Sequence, residues 1–312
     1  MLLLQKLDPH VVKQFIELNK DLVRRRFAEK RVGDRRKGGA PRLGERWIIV
    51  LLCVIGRMEG VPWRTLPLKL SLCEFLTREG YLRAIPSKTT FHRVWQNVRV
   101  QSLESWIRAL GYNTAVKWED SECAIDSSGF KVTTGNLWRY LKWAKGQLKK
   151  TSKLFRKVHI IISLPSRTVV SLTTSPSTAH DSKVCSKLFQ TLPKRLIKRF
   201  KCVHLDGAYW DENIMGWITQ EGMYPDVPPN KNSIDHGTNS PQDLRVRAEK
   251  NYPGLYRRNH HPERRASVEH VFGLIKLRPP IIYDRKVNNK LKTLLCPFLW
   301  YTFHLYAQSL WR

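Results

Sequence analysis

The spacing of apolar residues along this chain changes near residue 120, dividing a helical front from an α/β remainder. Val11, Val12, Phe15, Leu18 and Leu22 recur at helical spacing and lead into Arg24, Arg25 and Arg26. A turn-rich stretch with Arg35, Arg36, Lys37, Gly38 and Gly39 follows. The run Trp47 to Ile55 is too short to span a bilayer and predicts a core helix. Residues 47 to 110 read as several short helices punctuated by Pro62 and Pro67, with Ser87 as an N-cap before Thr90. Two readings stay open for this region. One is a helix-turn-helix DNA reader with Arg93 and Arg99 near its last helix; the other is a bundle with charge only on its surface.

Beyond residue 120 the pattern turns to strands. Glu122 to Asp126 predicts one, with a second apolar stretch from Phe130 to Thr133. Val158 to Leu164 and Thr168 to Thr174 are β-branched runs joined by Pro165-Ser166-Arg167, a hairpin signal. Asp181 opens a helix carrying Val184, Leu188 and Leu192, and Cys202 to Leu205 is a short strand ending at Asp206. A helix is expected from about 212 to 221, a polar loop over 225 to 242, and helices again from about Leu244. One of these runs from about Pro262 to Leu277, and the apolar tail from Leu294 to Trp311 suits a helix packing onto the domain. This order predicts an α/β fold with a mixed sheet.

Charge narrows the partners. Fifty-five Lys and Arg oppose twenty-six Asp and Glu, a net charge of +29 that favours a polyanion such as nucleic acid. With 42% hydrophobic residues and eleven Trp, the chain can bury a core and is no disordered tail. The six cysteines lack zinc spacing, so reduced, structural thiols in the cytoplasm are expected. Gln5, Lys6 and Asp8 interrupt Met1 to Leu4, so neither a signal peptide nor a membrane span is expected.

Three acidic residues are singled out by position. Asp126 closes Cys123-Ala124-Ile125, and Asp206 closes Val203-His204-Leu205. Carboxylates at strand ends aimed into one cleft suit the oxygen coordination of Mg²⁺. Glu269 sits mid-helix, sharing a face with Arg265 and Lys276. Taken singly, each Asp also suits a turn or helix cap, and Glu269 an i,i+4 pair with Arg265. His180, His204 and His270 fit a cleft lining or, more simply, satisfied structural positions. From Gly135 to Lys157, eight basic residues including Arg139, Lys142, Lys145, Lys149 and Lys150 occur without an acid. Trp138, Tyr140 and Trp143 interleave with them, suiting DNA contact or a solvated face over core aromatics.

Together these residues resemble the prokaryotic insertion-sequence DDE transposases, in particular the large four/five group. Their last catalytic segment reads Tyr-x2-Arg-x3-Glu-x6-Lys, which Arg265, Glu269 and Lys276 match in register, with Pro262 at the Tyr position. Asp206-Gly207-Ala208-Tyr209, then Gly222 and Pro225 to Pro229, is similar to the second segment. His180-Asp181-Ser182 is also similar to the family, as are Trp63, Leu66-Pro67 and Ser87 to Arg93, though less specifically.

The resemblance implies a ribonuclease-H-like mixed sheet with flanking helices, preceded by a helical N-terminal domain. It implies Asp126, Asp206 and Glu269 as catalytic and metal-binding residues, holding two Mg²⁺ or Mn²⁺ ions. Arg265 and Lys276 would hold DNA phosphates near the scissile bond. Expected partners are double-stranded DNA, as terminal inverted repeats and target, and further copies of the chain in a homodimer or higher assembly. The cellular setting that the resemblance implies is a prokaryotic cytoplasm and its nucleoid. Domains are expected at 1–46 (basic lead-in), 47–115 (helical, DNA-binding) and 116–312 (catalytic), with an insertion at about 223–260. A catalytically inactive DNA-binding descendant and a nuclease without strand transfer are the competing readings.

Overall fold

The computed structural model describes residues 8–27, 46–132, 155–229, 233–253, 262–277, 282 and 286–311. Two compact units emerge: Met1–Trp106 with Pro279–Trp300, and Ile107–Arg278 with Tyr301–Arg312. Residues 279–300 group with the front of the chain, and the sheet-bearing unit starts at Ile107.

In the first unit, α1 (Pro9–Phe27) packs against α2 (Arg46–Met58), which also meets α5 (Lys88–Asn97). Every residue of α2 from Trp47 to Arg57 is buried, as its unbroken apolar run requires. Val12, Phe15 and Ile16 are the buried stripe of α1. Two short helices, α3 (Leu66–Ser71) and α4 (Phe75–Arg78), lie between, with a Pro in the first turn of α3. The expected cap of α5 holds: the Ser87 hydroxyl accepts from the Thr90 N–H, and its backbone is extended. Lys292 is buried, its ammonium donating to the Trp95 carbonyl and lying 5.3 Å from that ring.

The second unit is built on one sheet. β1 (Glu122–Lys131), β2 (Phe155–Leu164) and β3 (Thr168–Pro176) pair antiparallel, while β4 (Cys202–His204) and β5 (Tyr224–Asp226) continue parallel from β1. The spatial order β3-β2-β1-β4-β5 gives the mixed, ribonuclease-H-like sheet that was expected. Around it stand α6 (Val100–Lys117, from Ile107 on), α7 (Ser182–Gln190), α8 (Lys194–Ile197), α9 (Glu212–Gln220), α10 (Pro241–Asn251) and α11 (Pro262–Lys276). The last helix, α12 (Val287–Leu310), contains Pro297.

Side chains alternate along β1, and the two sheet faces meet different partners. Cys123 and Ile125 enter an apolar core with Leu188, Phe189, Met215 and Ile218 from α7 and α9. Glu122, Asp126, Ser128 and Phe130 take the other face, which α11 crosses. Phe272 lies 6.1 Å from Phe130, ring centre to ring centre. At Gly111 of α6 a Cβ would meet the Val169 carbonyl at 2.0 Å, so only glycine permits this helix-to-strand approach.

Two expectations about the strands change. β1 does not stop at Asp126 but runs to Lys131, because Ser127 and Ser128 pair with His159 and Val158. Residues 224–226, expected to belong to an insertion, form the edge strand paired with β4. After this strand, α10 begins at Pro241 behind a Ser240 cap.

Candidate metal and DNA-processing site

Register brings two of the predicted carboxylates together. Glu122, Cys123 and Ala124 face Cys202, Val203 and His204 on parallel strands. Continued by two residues, that register sets Asp206 beside Asp126, on the face covered by α11. Asp126 is half-buried mid-strand, and its Oδ1 accepts the Ser127 N–H at 2.7 Å. Asp206 follows β4 and caps a 3₁₀ turn (Gly207–Tyr209), accepting the Ala208 N–H at 2.8 Å.

Glu269 comes from the middle of α11, where the Arg265 guanidinium holds it at 3.0 Å. The i,i+4 pair is therefore real, and it lies within electrostatic reach of Asp126. Burial, then the charges of Asp206 and Glu269, push the Asp126 carboxyl up to about 6, against the Ser127 N–H and Arg265. About two turns further on, the Lys276 ammonium donates to Ser128 Oγ and lies 5.3 Å from the Phe130 ring. Asp126, Asp206, Glu269, Arg265 and Lys276 thus share one side of the sheet. Arg139, Lys142, Lys145, Lys149 and Lys150 lie outside the described residues, as does the cluster at 35–39.

The three carboxylates suit a hard divalent cation, since all offer oxygen and their mutual repulsion would be relieved by it. They are not drawn into a tight cluster, however. Among the described residues, only Cys202, His204 and Asp226 bring three ligand atoms within 4.8 Å of one another. There the imidazole is already engaged at both nitrogens: Nδ1 to Asp226 at 2.7 Å and Nε2 to Glu122 at 3.0 Å. Glu122 in turn accepts from Arg264 of α11. Despite burial, the partners Asp226, Cys202 and Glu122 raise His204 to about 10, so it is an imidazolium at neutral pH. This network binds β1, β4, β5 and α11, the elements that carry or flank the three candidate carboxylates.

The sequence reading favoured a satisfied structural role for His204 without seeing the partners. Period two along β1 and β4 puts Glu122 on the face of Asp126 and His204 on that of Asp206. Pairing them, however, needs the strand register. Asp181 starts α7 as expected, but its side chain makes no cap; it takes the Lys157 ammonium at 2.9 Å. Lys157, grouped by sequence with the basic stretch, is thereby tied within the fold. Five of the six cysteines are buried, and all are free.

A family model described as the transposase DDE domain matches residues 117–278, just over half of the chain. The chain belongs to this family of insertion-sequence DDE transposases. Searches of curated proteins and of solved structures returned no match. Among the described residues no helix is long and apolar enough to cross a membrane.

Proposed function

We propose that this transposase cuts and rejoins DNA at a centre formed by Asp126, Asp206 and Glu269, which hold two Mg²⁺ or Mn²⁺ ions. The supporting observation is positional: strand register aligns Asp126 with Asp206 beneath the helix that presents Glu269. Bound divalent ions supply Lewis acidity at the phosphodiester and an activated oxygen nucleophile. The chain's own groups position the DNA. Lys276 and Arg265 hold backbone phosphates beside the carboxylates, and Arg139, Lys142, Lys145, Lys149 and Lys150 extend the contact along the strand. The helical unit at 47–110 recognises the terminal inverted repeats, and copies of the chain pair the two element ends in an assembly on DNA.

The test is a supercoiled substrate carrying the element's ends, incubated with the full chain and Mg²⁺. Nicked and strand-transferred products are expected, both lost with EDTA and with Asp206→Asn. Cleavage without joined products would leave a nuclease. Binding without metal-dependent cleavage would leave an inactive DNA-binding descendant.

A further inference from the structure

A second basic site lies in the first unit, remote in sequence from the carboxylates. A cavity of about 420 Å³ opens between the end of α2, the turn before α3 and the start of α5. Arg57, Trp63, Arg64, Lys88, Thr89 and His92 line it, and no acid does. Its floor is fixed: the buried Arg57 guanidinium stacks 3.5 Å from the centre of the Trp63 ring. Trp63 is further braced by His92 at 6.2 Å, edge-on, and by Trp95 at 6.1 Å. The rim is open to solvent, since Arg64, Lys88 and His92 are exposed.

The start of α5 adds its own polarity. The Ser87 hydroxyl occupies the Thr90 N–H, and no acidic residue stands in the first turn to balance the positive helix end. Lys88 and Thr89, whose N–H groups precede the first intrahelical bond, line the cavity instead. One wall therefore suits an anion, and the other offers the Trp63 ring. The volume exceeds what a bare phosphate needs and falls within the roughly 300–1,000 Å³ of ligand pockets.

The geometry points to a nucleotide pocket for DNA: one phosphodiester sits at the α5 N-terminus with Lys88 and Arg64, its nucleoside against Trp63 and His92. This extends the proposed end recognition to a specific cavity. It rests on the family's action on DNA but not on the roles given to Asp126, Asp206 and Glu269.

Binding of the full chain to labelled DNA in EDTA separates the two questions, because cleavage plays no part. Lys88→Glu and Arg64→Ala, both at exposed positions, should weaken binding, and Arg64→Ala should flatten its salt dependence by about one unit. Lys20→Ala, on α1 and paired with Glu17, should change neither. With the unaltered chain, photocrosslinking of iodouracil-substituted DNA should map to Trp63 or His92. Dinucleotide should compete with DNA better than inorganic phosphate at equal ionic strength. Unchanged affinity in both pocket variants, or crosslinks confined outside residues 57–92, overturns the assignment. Equal competition by phosphate and dinucleotide reduces the pocket to a bare anion site and overturns its nucleoside half.

Discussion

Two acidic clusters share one face of the sheet and are treated in opposite ways. At one, Glu122 and Asp226 meet two cations, His204 and Arg264, and every charge has a hydrogen-bonded counterpart. Those partners hold the Glu122 carboxyl below its ordinary value against the burial that would raise it. At the other, Arg265 pairs with Glu269 and reaches Asp126, while burial and the charges of Asp206 and Glu269 push Asp126 up to about 6. The same fold that balances one group leaves the other with surplus negative charge. A balanced buried network suits holding elements in register, whereas an unbalanced one suits receiving a cation.

Removing one charged group should therefore have opposite consequences at the two clusters. Asp126→Asn is expected to lower metal-dependent cleavage by about a thousandfold or more, as for loss of a key electrostatic group. Its melting temperature at pH 7 should stay level or rise, because a penalised charge is gone. His204→Gln removes the cation between two carboxylates and should destabilise the chain by about 3 kcal/mol. Denaturant unfolding beside a cleavage assay checks both. A thermally weakened Asp126→Asn with intact cleavage would reverse the comparison.

The pH dependence runs in the same direction at both groups but in different windows, because each binds its proton more tightly in the folded chain. Asp126 has a folded pKa near 6 against an ordinary 3.8, so folding takes up its proton in that interval. The stability advantage of Asp126→Asn should be near zero at pH 3.8 and grow as pH rises through 6. His204 is raised to about 10 from 6.5, so its contribution is complete below 6.5 and disappears as pH rises through 10. The deficit of His204→Gln should accordingly shrink across that window. Melting curves of the variants against the unaltered chain, taken from pH 4 to 10, read both slopes.

How far the sequence revealed these clusters depends on what each needed. Asp126, Asp206 and Glu269 stood out because short apolar strands and a matching Arg-Glu-Lys spacing marked their places. The strand beyond Asp126 did not, since Ser127, Ser128 and Gly129 have turn chemistry and β2 overrides it by pairing. His204 with Glu122 and Asp226 spans three strands, so its partners exist only once the parallel register is known. Lys157 read as part of a basic surface for a similar reason: its acid, Asp181, lies 24 residues along the chain.

The smallest expected effects give the finest division, because the two clusters meet on neighbouring residues of α11. Arg264 serves the balanced network and Arg265 the surplus one. Arg264 is substantially exposed, so Arg264→Ala should cost about 1 kcal/mol or less of stability. DNA affinity and Mg²⁺ affinity should stay near those of the unaltered chain. Arg265→Ala should leave stability nearly unchanged while flattening the salt dependence of DNA binding by about one unit. It also removes the cation that offsets Glu269 and Asp126, so Mg²⁺ should bind as tightly or more tightly. Lys276→Ala provides the reference for phosphate contact, since its ammonium meets Ser128 rather than a carboxylate. It should flatten the salt dependence similarly and leave Mg²⁺ affinity unchanged. Calorimetric Mg²⁺ titration of the three variants, with DNA binding at several salt concentrations, decides the matter. If Arg264→Ala changes Mg²⁺ affinity and Arg265→Ala does not, the cation-receiving cluster is the one around Glu122.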